Sequence, residues 1–387
     1  MTKVCVVGGK LQGVEALYLA GQAGMETVLI DRHENPLGKK FCGRFICGDV
    51  IQYNTDIICA LEEADFVLPA LENKATLEAL EKLAAEHDIR LVYDRHAYAI
   101  SSSKTRSDKM MQERGLPCPR YYPLGKYPFI VKPSAMSCST GVQKIYRDAD
   151  MQSFLKAHAG EDWVAQEFLA GPSYSLEVIG TPGNYSTYHV TELFMDPDYD
   201  CKRVLSRPDL APELIKQMEE ETLALAEMVE LHGIMDVEVI ESDGVLRILE
   251  IDARIPSQTP ITVYHATGWN MMTEMAVKFG KSPCPGSALW DREKYVSLEQ
   301  ILCDGDRVSV LGEHILSHAS TLSHLRDFCG ADEALTDYEP GKERWVATLI
   351  CIAETKEDLE AKREKLPKAV SELLGREIQW IDEFPES

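Results

Sequence analysis

Through about residue 95, the chain alternates between short apolar runs and segments in which apolar residues recur three and four positions apart. The runs predict buried strands, and the periodic segments predict helices between them. The predicted strands are residues 4–7, 27–30, 66–69 and 90–93, and the predicted helices are residues 14–23 and 74–86. Strands that alternate with helices favour a parallel sheet with crossover helices.

The pattern changes near residue 99, where longer polar segments separate the apolar ones. A run of serines at 101–103 predicts a helix start, because serine is a good N-cap. The two prolines within 115–119 indicate a seam between domains. Beyond this seam the predicted strands are 129–133, 163–169 and 174–179, and a long helix is predicted at 215–231.

The most informative pattern is a predicted hairpin. Two β-type apolar runs at 233–240 and 245–251 flank a short polar segment that ends in Asp243-Gly244. An Asp-Gly pair between two such runs predicts a tight antiparallel turn. Alternate residues of a strand share a face, so Glu250 and Asp252 should lie together, beside Asp236 and Glu238 of the partner strand. Arg254 joins this group if the strand continues.

Four converging carboxylates would repel one another, and some would be protonated in the absence of a cation. One or two divalent cations resolve this conflict, and Mg²⁺ prefers hard oxygen ligands such as carboxylates and phosphates. The guanidinium of Arg254 could hold a phosphate oxygen. The hairpin therefore predicts a site for metal and phosphate, the alternative being a solvent-facing strand end with an ordinary ion pair.

A second candidate for phosphate binding is Lys132, which ends an apolar strand and precedes a loop rich in small residues at 134–142. Lysine is a mobile point charge suited to phosphate, and the N–H groups of a flexible loop can surround phosphate oxygens. The loop is not a Walker A sequence, because Gly-Lys-Ser/Thr is absent. The alternative is an exposed lysine beside an ordinary surface loop.

The start of the chain invites a comparison with dinucleotide-binding proteins. Gly8, Gly9 and Gly13 follow the first strand, and Asp31 ends the second. However, the dinucleotide fingerprint needs a glycine where this chain has Lys10. An NAD-dependent oxidoreductase therefore remains only a weaker alternative.

Composition narrows the class of protein. A length of 387 residues predicts two or three domains, and a formal net charge of −23 argues against binding to nucleic acid or to an anionic membrane. No apolar run approaches the roughly 20 residues that span a membrane. The eleven cysteines are scattered without a Cys-x-x-Cys pair, which argues against structural zinc and disulfides. We expect a cytoplasmic protein with reduced thiols.

The order of these features is more specific than any one of them. Along the chain they occur in this order: Lys104, Val131-Lys132-Pro133, the small-residue loop, Gln166-Glu167-Phe168-Leu169-Ala170-Gly171, Asp236-Val237-Glu238 and Glu250-Ile251-Asp252-Ala253-Arg254. This series resembles the ATP-grasp superfamily over residues 99–280. Within it, the chain is similar to the family of pyrrolysine-biosynthesis ligases that join 3-methyl-D-ornithine to L-lysine. The strings that carry this resemblance are residues 7–13, 97–101, 233–238 and 251–260.

The resemblance implies an α/β protein with an ATP-grasp fold. A Rossmann-like pre-ATP-grasp domain with a parallel sheet would occupy residues 1–98, and the ATP-grasp domain would occupy 99–290, with a lid at about 117–173. A mixed α+β C-terminal domain would occupy 291–387. A homodimer is the common assembly in this superfamily.

The resemblance also implies the chemistry. ATP, with two Mg²⁺ ions, would phosphorylate the carboxylate of 3-methyl-D-ornithine, and the ε-amine of L-lysine would then displace phosphate to form an amide. The residues implied to bind ATP are Lys104, Lys132, Ser139, Gly141, Glu167, Phe168 and Leu169. The implied metal ligands are Glu238, Glu250 and Asp252, and the implied catalytic residues are Arg254 and Lys132.

Substrate-binding residues are the least determined part of this prediction. Acids left over after the metal ligands are assigned suit an amine, and Arg254 and Ser257 suit a carboxylate. The candidates are Lys10, Leu11, Glu72, Ser175, Glu177, Asp236, Arg254 and Ser257. One departure from the superfamily pattern is Ser173, which stands where many members carry a ribose-binding glutamate. Another ATP-grasp amino-acid ligase or a carboxylase remains the second hypothesis.

Overall fold

The computed structural model describes residues 1–135 and 141–385 of the chain. The chain begins with a parallel sheet in the order β3-β2-β1-β4, flanked by helices. Its elements are β1 (Lys3–Val7), α1 (Leu11–Gln22), β2 (Glu26–Asp31), β3 (Arg44–Cys47), α2 (Thr55–Glu63), β4 (Phe66–Pro69) and α3 (Lys74–Glu86), with short 3₁₀ turns at Leu37–Phe41 and Val50–Gln52. The parallel sheet predicted from periodicity is therefore present.

The strand predicted at 90–93 is wrong. Only Leu91 forms a bridge to the sheet, parallel to Val67. The chain then turns into a helix, because the side chain of Asp94 accepts hydrogen bonds from the backbone N–H groups of His96 and Ala97. Because α4 begins at Arg95, directly after this cap, the run contributes a single bridge to the sheet.

The glycine-rich loop after β1 is held from within the protein. The Gly9 N–H donates to Oδ2 of Asp31 at 2.7 Å, and the His33 N–H donates to Oδ1 at 2.8 Å. Both carboxylate oxygens of Asp31 are thus engaged in fixing this loop. Asp31 occupies the position that a ribose-binding acid would take in a dinucleotide site, but here its carboxylate stabilises the loop.

Two helices, α4 (Arg95–Ser101) and α5 (Lys104–Glu113), lead into a small separate sheet. This sheet has the order β6-β5-β7 and carries one helix on its face. Its elements are β5 (Phe129–Pro133), β6 (Gln143–Ile145), α6 (Asp148–Ala157) and β7 (Trp163–Glu167). Its own apolar cluster includes Phe129, Met151 and Phe154, so this segment, predicted as a lid, has a core of its own.

The remaining strands form one large, mostly antiparallel sheet, whose main path is β13-β12-β8-β10-β11-β14-β18-β17-β16. Its first part contains β8 (Ser173–Thr181), β9 (Asn184–Thr187), β10 (Thr191–Met195), β11 (Cys201–Ser206), α7 (Pro212–Met228), β12 (Gly233–Ser242), β13 (Val245–Asp252), α8 (Thr259–Thr267) and α9 (Met271–Phe279). The second part contains β14 (Tyr295–Asp304), β15 (Arg307–Val310), a 3₁₀ turn at Glu313–His318, β16 (Ser323–Phe328), β17 (Ala331–Thr336), β18 (Arg344–Ala353), α10 (Lys356–Leu374) and β19 (Gln379–Ile381).

The large sheet runs without a break through the boundary predicted at residue 290, because β11 pairs with β14. The largest apolar cluster joins the N-terminal sheet to the large sheet and includes Leu17 of α1, Ile261 of α8 and Val296 of β14, each at most 1% exposed. Burying one such side chain contributes about 1.5–3 kcal/mol. The N-terminal part is therefore packed against α8 and α9, and α8 begins at Thr259, which lines the cleft described below.

A buried polar network crosses the same junction. The Tyr18 hydroxyl donates to Oε2 of Glu333 at 2.6 Å and lies 2.8 Å from Nε2 of His265, and Nε2 of His324 lies 2.6 Å from the same glutamate oxygen. Burial lowers the pKa of His265 to about 4. For Glu333 the effect of burial is outweighed by the hydrogen bonds from His324 and Tyr18, which lower its pKa to about 2.

This network predicts an acid-sensitive contribution to stability. The unfolded chain binds a proton at His265 near the usual pKa of 6.5, whereas the folded chain does so only near 4, so the free energy of unfolding falls as the pH falls through this window. Between pH 7.5 and pH 5, this effect lowers the free energy of unfolding of the parent by about 2 kcal/mol. The decrease in His265→Gln over the same range should be smaller by that amount. Urea unfolding at both pH values measures the difference from the parent. His318→Gln, at an exposed position, is the control and should leave the pH dependence unchanged, and a pH dependence unaltered in His265→Gln would refute the assignment.

None of the described helices combines the length and the apolar character needed to cross a membrane. The ten cysteines within the described residues are all free.

Candidate active site

The predicted hairpin is present, and its turn explains its register. Asp243 and Gly244 form the two-residue connection with φ values of 54° and 71°, as a type I′ turn requires. The resulting pairing places Asp236 opposite Asp252 and Glu238 opposite Glu250, with a bulge after Glu238. The turn pairs Ser242 with Val245, and this register without a bulge would place Glu238 opposite Leu249. The convergence of these four acids therefore depends on the bulge as well as on the turn and strand alternation.

A third strand adds to the same face of the sheet. β8 pairs with β12 so that Glu177 lies beside Asp236 and Ser175 lies beside Glu238. Two rows of polar side chains thus cross three strands. One row is Ser175, Glu238 and Glu250, and the other is Glu177, Asp236 and Asp252.

Two lysines from outside the large sheet meet the first row. Nζ of Lys104 lies 2.5 Å from Oε1 of Glu250, and Nζ of Lys132 lies 3.9 Å from Oε2. Lys104 opens α5, where its backbone N–H donates to the carbonyl of Ser134 at 2.9 Å, and Lys132 lies in β5 of the small sheet. Burial alone would raise the pKa of Glu250, but the two lysines outweigh it and lower that pKa.

Arg254 connects the second row to the N-terminal part of the chain. Its Nη2 lies 2.9 Å from Oδ2 of Asp252, and its Nε lies 2.9 Å from Oε1 of Glu72. The same glutamate oxygen accepts a hydrogen bond from Nε2 of Gln12 at 3.1 Å. Glu72, a predicted substrate contact, is therefore brought to the site through its pair with Arg254.

The other two candidates from the N-terminal part of the chain are not brought into the main cleft. Lys10 is exposed at the N-cap of α1. Leu11 packs against the large apolar cluster. Neither residue lines the main cleft described below.

The acids of the hairpin carry more negative charge than the nearby cations balance. Burial raises the pKa of Glu238 to about 7 and that of Asp252 to about 6, and it raises the pKa of Asp236 well above its usual value. Oδ1 of Asp236 also lacks a hydrogen-bond partner among the described residues. This excess of hard oxygen ligands fits a divalent cation such as Mg²⁺, which Glu238, Glu250 and Asp252 would hold.

These groups line an open cleft between the small sheet and the large one. Its far end contains the predicted hinge. The ring of Phe168 lies under Nζ of Lys144 at 3.6 Å, and Leu169 lines the cleft beside it. Oε1 of Glu167 accepts a hydrogen bond from the Arg120 N–H at 2.9 Å, which fixes this side chain against the connection into the small sheet.

The loop after the hinge makes a close backbone approach. Gly171 has a φ of 156°, and a Cβ at this position would lie 1.8 Å from the carbonyl oxygen of Glu241. Only glycine fits there, so the hinge lies directly against β12. Ser173 follows and lines the cleft, at the place where a ribose-binding glutamate is common. Gly141 adopts a φ of 80° at the edge of the small-residue loop, and Ser139 lies outside the described residues.

The opposite end of the cleft is rich in hydrogen-bond acceptors. The Ser257 hydroxyl donates to Oε2 of Glu313 at 2.5 Å, and Nε2 of Gln258 donates to the same oxygen and to the Cys201 carbonyl, both at 3.2 Å. Since both neighbours of this Nε2 are acceptors, the amide of Gln258 has one orientation. Its Oε1 is buried and without a partner among the described residues.

Four neighbouring residues also present buried side-chain oxygens that make no well-formed hydrogen bond to another described residue. They are Ser175, Glu177, Asp236 and Thr259. Burial raises the pKa of Glu177 to about 7, and the nearby Thr259 hydroxyl offsets this only in part. Unpaired buried acceptors are rare in folded proteins and indicate a ligand that donates hydrogen bonds.

Sequence reasoning missed Gln258, Thr259 and Glu313. Gln258 has a φ of 73°, a strained backbone conformation for a residue other than glycine. Strain of this kind gives no signal in the sequence. Glu313 lies beyond the segment that carried the family resemblance, and its approach depends on how β14 and β15 return to the cleft.

A second cluster of acids with histidine, Asp196, Asp200 and His314, lies nearby. The carboxylate oxygens of Asp196 accept hydrogen bonds from the backbone N–H groups of Asp198, Asp200 and Gly312, and Oδ2 of Asp200 accepts from the His314 N–H. These acids therefore hold a turn together. His314 closes this turn on its exposed side, with Nδ1 2.7 Å from the same oxygen of Asp200.

Comparison with known proteins gives a consistent result. A family model for the ATP-grasp domain matches residues 101–258. The 3-methyl-D-ornithine–L-lysine ligase of Methanosarcina barkeri (strain Fusaro / DSM 804) is 33% identical over 376 residues, which cover 97% of this chain and 99% of that ligase. The ligase of the same name from Methanosarcina acetivorans is 31% identical over 365 residues, covering 94% and 96%.

Among solved structures, N5-carboxyaminoimidazole ribonucleotide synthetase from Thermus thermophilus has a TM-score of 0.70 with 15% identity, covering 95% of this chain and 98% of that one. This likeness shows a shared fold. The predicted ATP-grasp fold and the resemblance to pyrrolysine-biosynthesis ligases are both confirmed by these comparisons. On the strength of identity that extends over nearly the whole of both chains, this protein belongs to the family of 3-methyl-D-ornithine–L-lysine ligases and is an ATP-dependent carbon–nitrogen ligase.

Proposed function

We propose that this protein uses ATP to phosphorylate the carboxylate of 3-methyl-D-ornithine and joins it to the ε-amine of L-lysine, with ADP and phosphate as the other products. The observation that carries the proposal is the meeting of Lys104, Lys132 and the hairpin acids at Glu250. On one side of this point lies the hinge, and on the other lies the acceptor-rich end of the cleft. The names of the nearly full-length relatives supply the two amino-acid substrates.

ATP would lie with its base at Phe168 and Leu169 and its phosphates toward Lys104 and Lys132. Both lysines contact Glu250 in the present structure. Mg²⁺, held by Glu238, Glu250 and Asp252, would draw charge from the phosphate oxygens and so make the terminal phosphorus a better electrophile. Once Glu250 binds a cation, the lysines can pair with phosphate instead.

The chemistry requires activation, because a carboxylate is a poor electrophile and oxide is a poor leaving group. One carboxylate oxygen of the ornithine attacks the γ-phosphorus, and the bond to the β-phosphate oxygen breaks to release ADP. The lysine ε-nitrogen, after losing a proton, attacks the acyl carbon, and the bond between that carbon and the phosphate oxygen breaks. Arg254, charged and close to Asp252, stabilises negative charge on the transferred group.

The acceptor-rich end fits the ammonium groups of the ornithine. Asp236, Gln258 and Thr259 line the cleft and offer oxygen atoms that accept no well-formed hydrogen bond from the described residues. Ser175 and Glu177 do not line the cleft, but they lie buried beside its acids on β8 and add further acceptors of this kind. A diamine supplies several N–H donors at once and adds positive charge beside acids whose pKa values are raised by burial. Binding would therefore restore these acids to their ionised form.

The proposal is tested by incubating the protein with MgATP and 3-methyl-D-ornithine, L-lysine, both or neither. We expect phosphate release and a new isopeptide, seen by mass spectrometry, only when both amino acids are present. In parallel reactions, D-ornithine replaces 3-methyl-D-ornithine and α-N-acetyl-L-lysine replaces L-lysine. These reactions show whether the methyl group and the α-amine are recognised. If ATP is consumed equally with other amino acids and no ornithyl-lysine forms, the substrate assignment is wrong although the ATP site stands.

Asp236→Asn tests the ammonium site. An amide cannot carry the charge that pairs with the diamine, and a hydrogen bond to a charged group contributes about 1.5–3 kcal/mol. We therefore expect KM for 3-methyl-D-ornithine to rise by about 10-fold to 100-fold, while KM for ATP stays within about twofold. Steady-state kinetics with each substrate varied in turn gives both values.

The control is Asp243→Asn, an exposed acid in the turn of the same hairpin. Asparagine tolerates its positive φ. Equal increases in both KM values for Asp236→Asn would contradict a specific role for this carboxylate in holding the diamine.

A further inference from the structure

Lys202 is a lysine whose side chain is fully buried, with a side-chain exposure of 0%. Its Nζ donates to Oδ1 of Asp382 at 2.6 Å and to the carbonyl oxygen of Glu383, and it lies 3.5 Å from the centroid of the Phe384 ring. All three of these partners belong to the C-terminal segment that follows β19. The segment therefore supplies the counter-charge, the acceptor and the aromatic face for a buried cation.

The same segment is held by a second cation. Nη2 of Arg203 lies 2.5 Å from Oδ2 of Asp382 and 2.9 Å from Oε2 of Glu299. Just before it, β19 pairs with β15 along the parallel register from Arg307↔Gln379 to Ser309↔Ile381. The C-terminal segment is thus fixed to β11 at one end and to β15 at the other.

The far end of this segment reaches the main cleft. Pro385 lines the cleft together with Tyr199 and the hinge residue Phe168, whose rings lie 6.4 Å apart. Cys201 and Val204 of β11, which flank Lys202 and Arg203 in the sequence, also line the cleft. The cleft in which the proposed function places ATP therefore has part of its wall made by the C-terminal segment of the chain.

We propose that residues 382–385 are part of the nucleotide-binding site, with Lys202 as the positioning residue that holds Pro385 at the base end of the cleft. This inference rests on the proposed ATP site. Removal of one partner of a buried ion pair leaves an uncompensated charge, so loss of the Asp382 carboxylate releases the segment. This release alters the wall that the base contacts, whereas the hydrogen bond from Gln258 to the Cys201 carbonyl at the acceptor-rich end does not involve the segment.

The experiment compares three variants of the full chain. Asp382→Asn weakens the anchor, and Pro385→Gly keeps the anchor but removes the ring from the cleft wall. Gln379→Ala, at an exposed position of β19, is the matched control. Calorimetry with a non-hydrolysable ATP analogue and Mg²⁺ gives the affinity, and steady-state kinetics gives KM for ATP and for each amino acid.

We expect Asp382→Asn to weaken binding of the analogue by about 10-fold and Pro385→Gly by about threefold, both with amino-acid KM values unchanged. Hydrogen exchange should show that the analogue slows exchange of the backbone amides at 382–384 in the parent protein. Because Pro385→Gly leaves every Lys202 contact in place, its result does not depend on whether Asp382→Asn folds fully.

Unchanged affinity in Pro385→Gly, together with equal exchange at 382–384 with and without the analogue, overturns the inference. A parent protein that binds no ATP analogue overturns the proposed function instead. The two failures are therefore distinguishable.

Discussion

Replacement of Glu250 by glutamine should lower kcat by about 10³-fold, a loss typical for removal of one electrostatic group from a preorganised site. Glu250 lies opposite Glu238 in the hairpin and contacts both Lys104 and Lys132. Glutamine keeps the shape but loses the charge that would bind Mg²⁺ and that now positions the two lysines. Turnover is measured as phosphate release at saturating substrates.

The matched control is Glu241→Gln, which neutralises an acid of the adjoining strand that does not line the cleft. It should keep kcat within about twofold. Thermal unfolding should show that Glu250→Gln remains folded, because the carboxylate is still partly exposed at 24%. Activity within a few-fold of the parent in Glu250→Gln would remove this residue from the metal site.

The second large effect is expected for Arg254→Lys, which should lower kcat by about 10²-fold although the charge is retained. Arg254 places two different nitrogens 2.9 Å from Asp252 and 2.9 Å from Glu72. The ammonium of lysine is a point charge and cannot hold two partners in this planar geometry. The loss should appear in the rate of acyl-phosphate formation, followed in a rapid-quench experiment.

Arg247→Lys is the control for this substitution. Arg247 lies in β13, the strand that ends two residues before Arg254. Its Nη1 donates to the carbonyl of Ser242 at 2.9 Å, and it does not line the cleft. If both variants lost activity equally, the loss would be due to a general disturbance of β13 and not to the missing guanidinium of Arg254. A normal kcat in Arg254→Lys would show that charge alone is sufficient at this position.

The contacts of the two lysines suggest an order of events. In the present structure Lys104 and Lys132 pair with Glu250, which lies beside Glu238. On the proposed function, ATP with Mg²⁺ would offer phosphate to the lysines and a cation to the acids. Both exchanges replace one set of ion pairs by another, so the site avoids an uncompensated buried charge at each stage.

Several parts of the fold were predictable because they depend on neighbours in the sequence. The parallel N-terminal sheet followed from alternating strand and helix periods. By contrast, residues 90–93 were misassigned as a strand, since the capping of α4 by Asp94 prevails over a short apolar run. The domain boundary predicted at residue 290 did not anticipate that β11 and β14 pair within one continuous sheet.

The sequence by itself determined the hairpin of this protein and which acids share a face within each strand. The Asp243-Gly244 turn sets the pairing beside it, and the two-residue period of strands puts Asp236 with Glu238 in β12 and Glu250 with Asp252 in β13. The bulge after Glu238 then brings both pairs to the same face of the sheet. The family also followed from the sequence, because its motifs lie in a fixed order along the chain.

Only the tertiary structure decided which distant groups meet these acids. Lys104 and Glu250 are 146 positions apart, and Lys202 and Asp382 are 180 positions apart. Their meeting depends on how whole sheets pack, and a local pattern carries no information about such packing. The same holds for Gln258, which precedes α8 with a strained backbone and whose amide oxygen has no partner among the described residues.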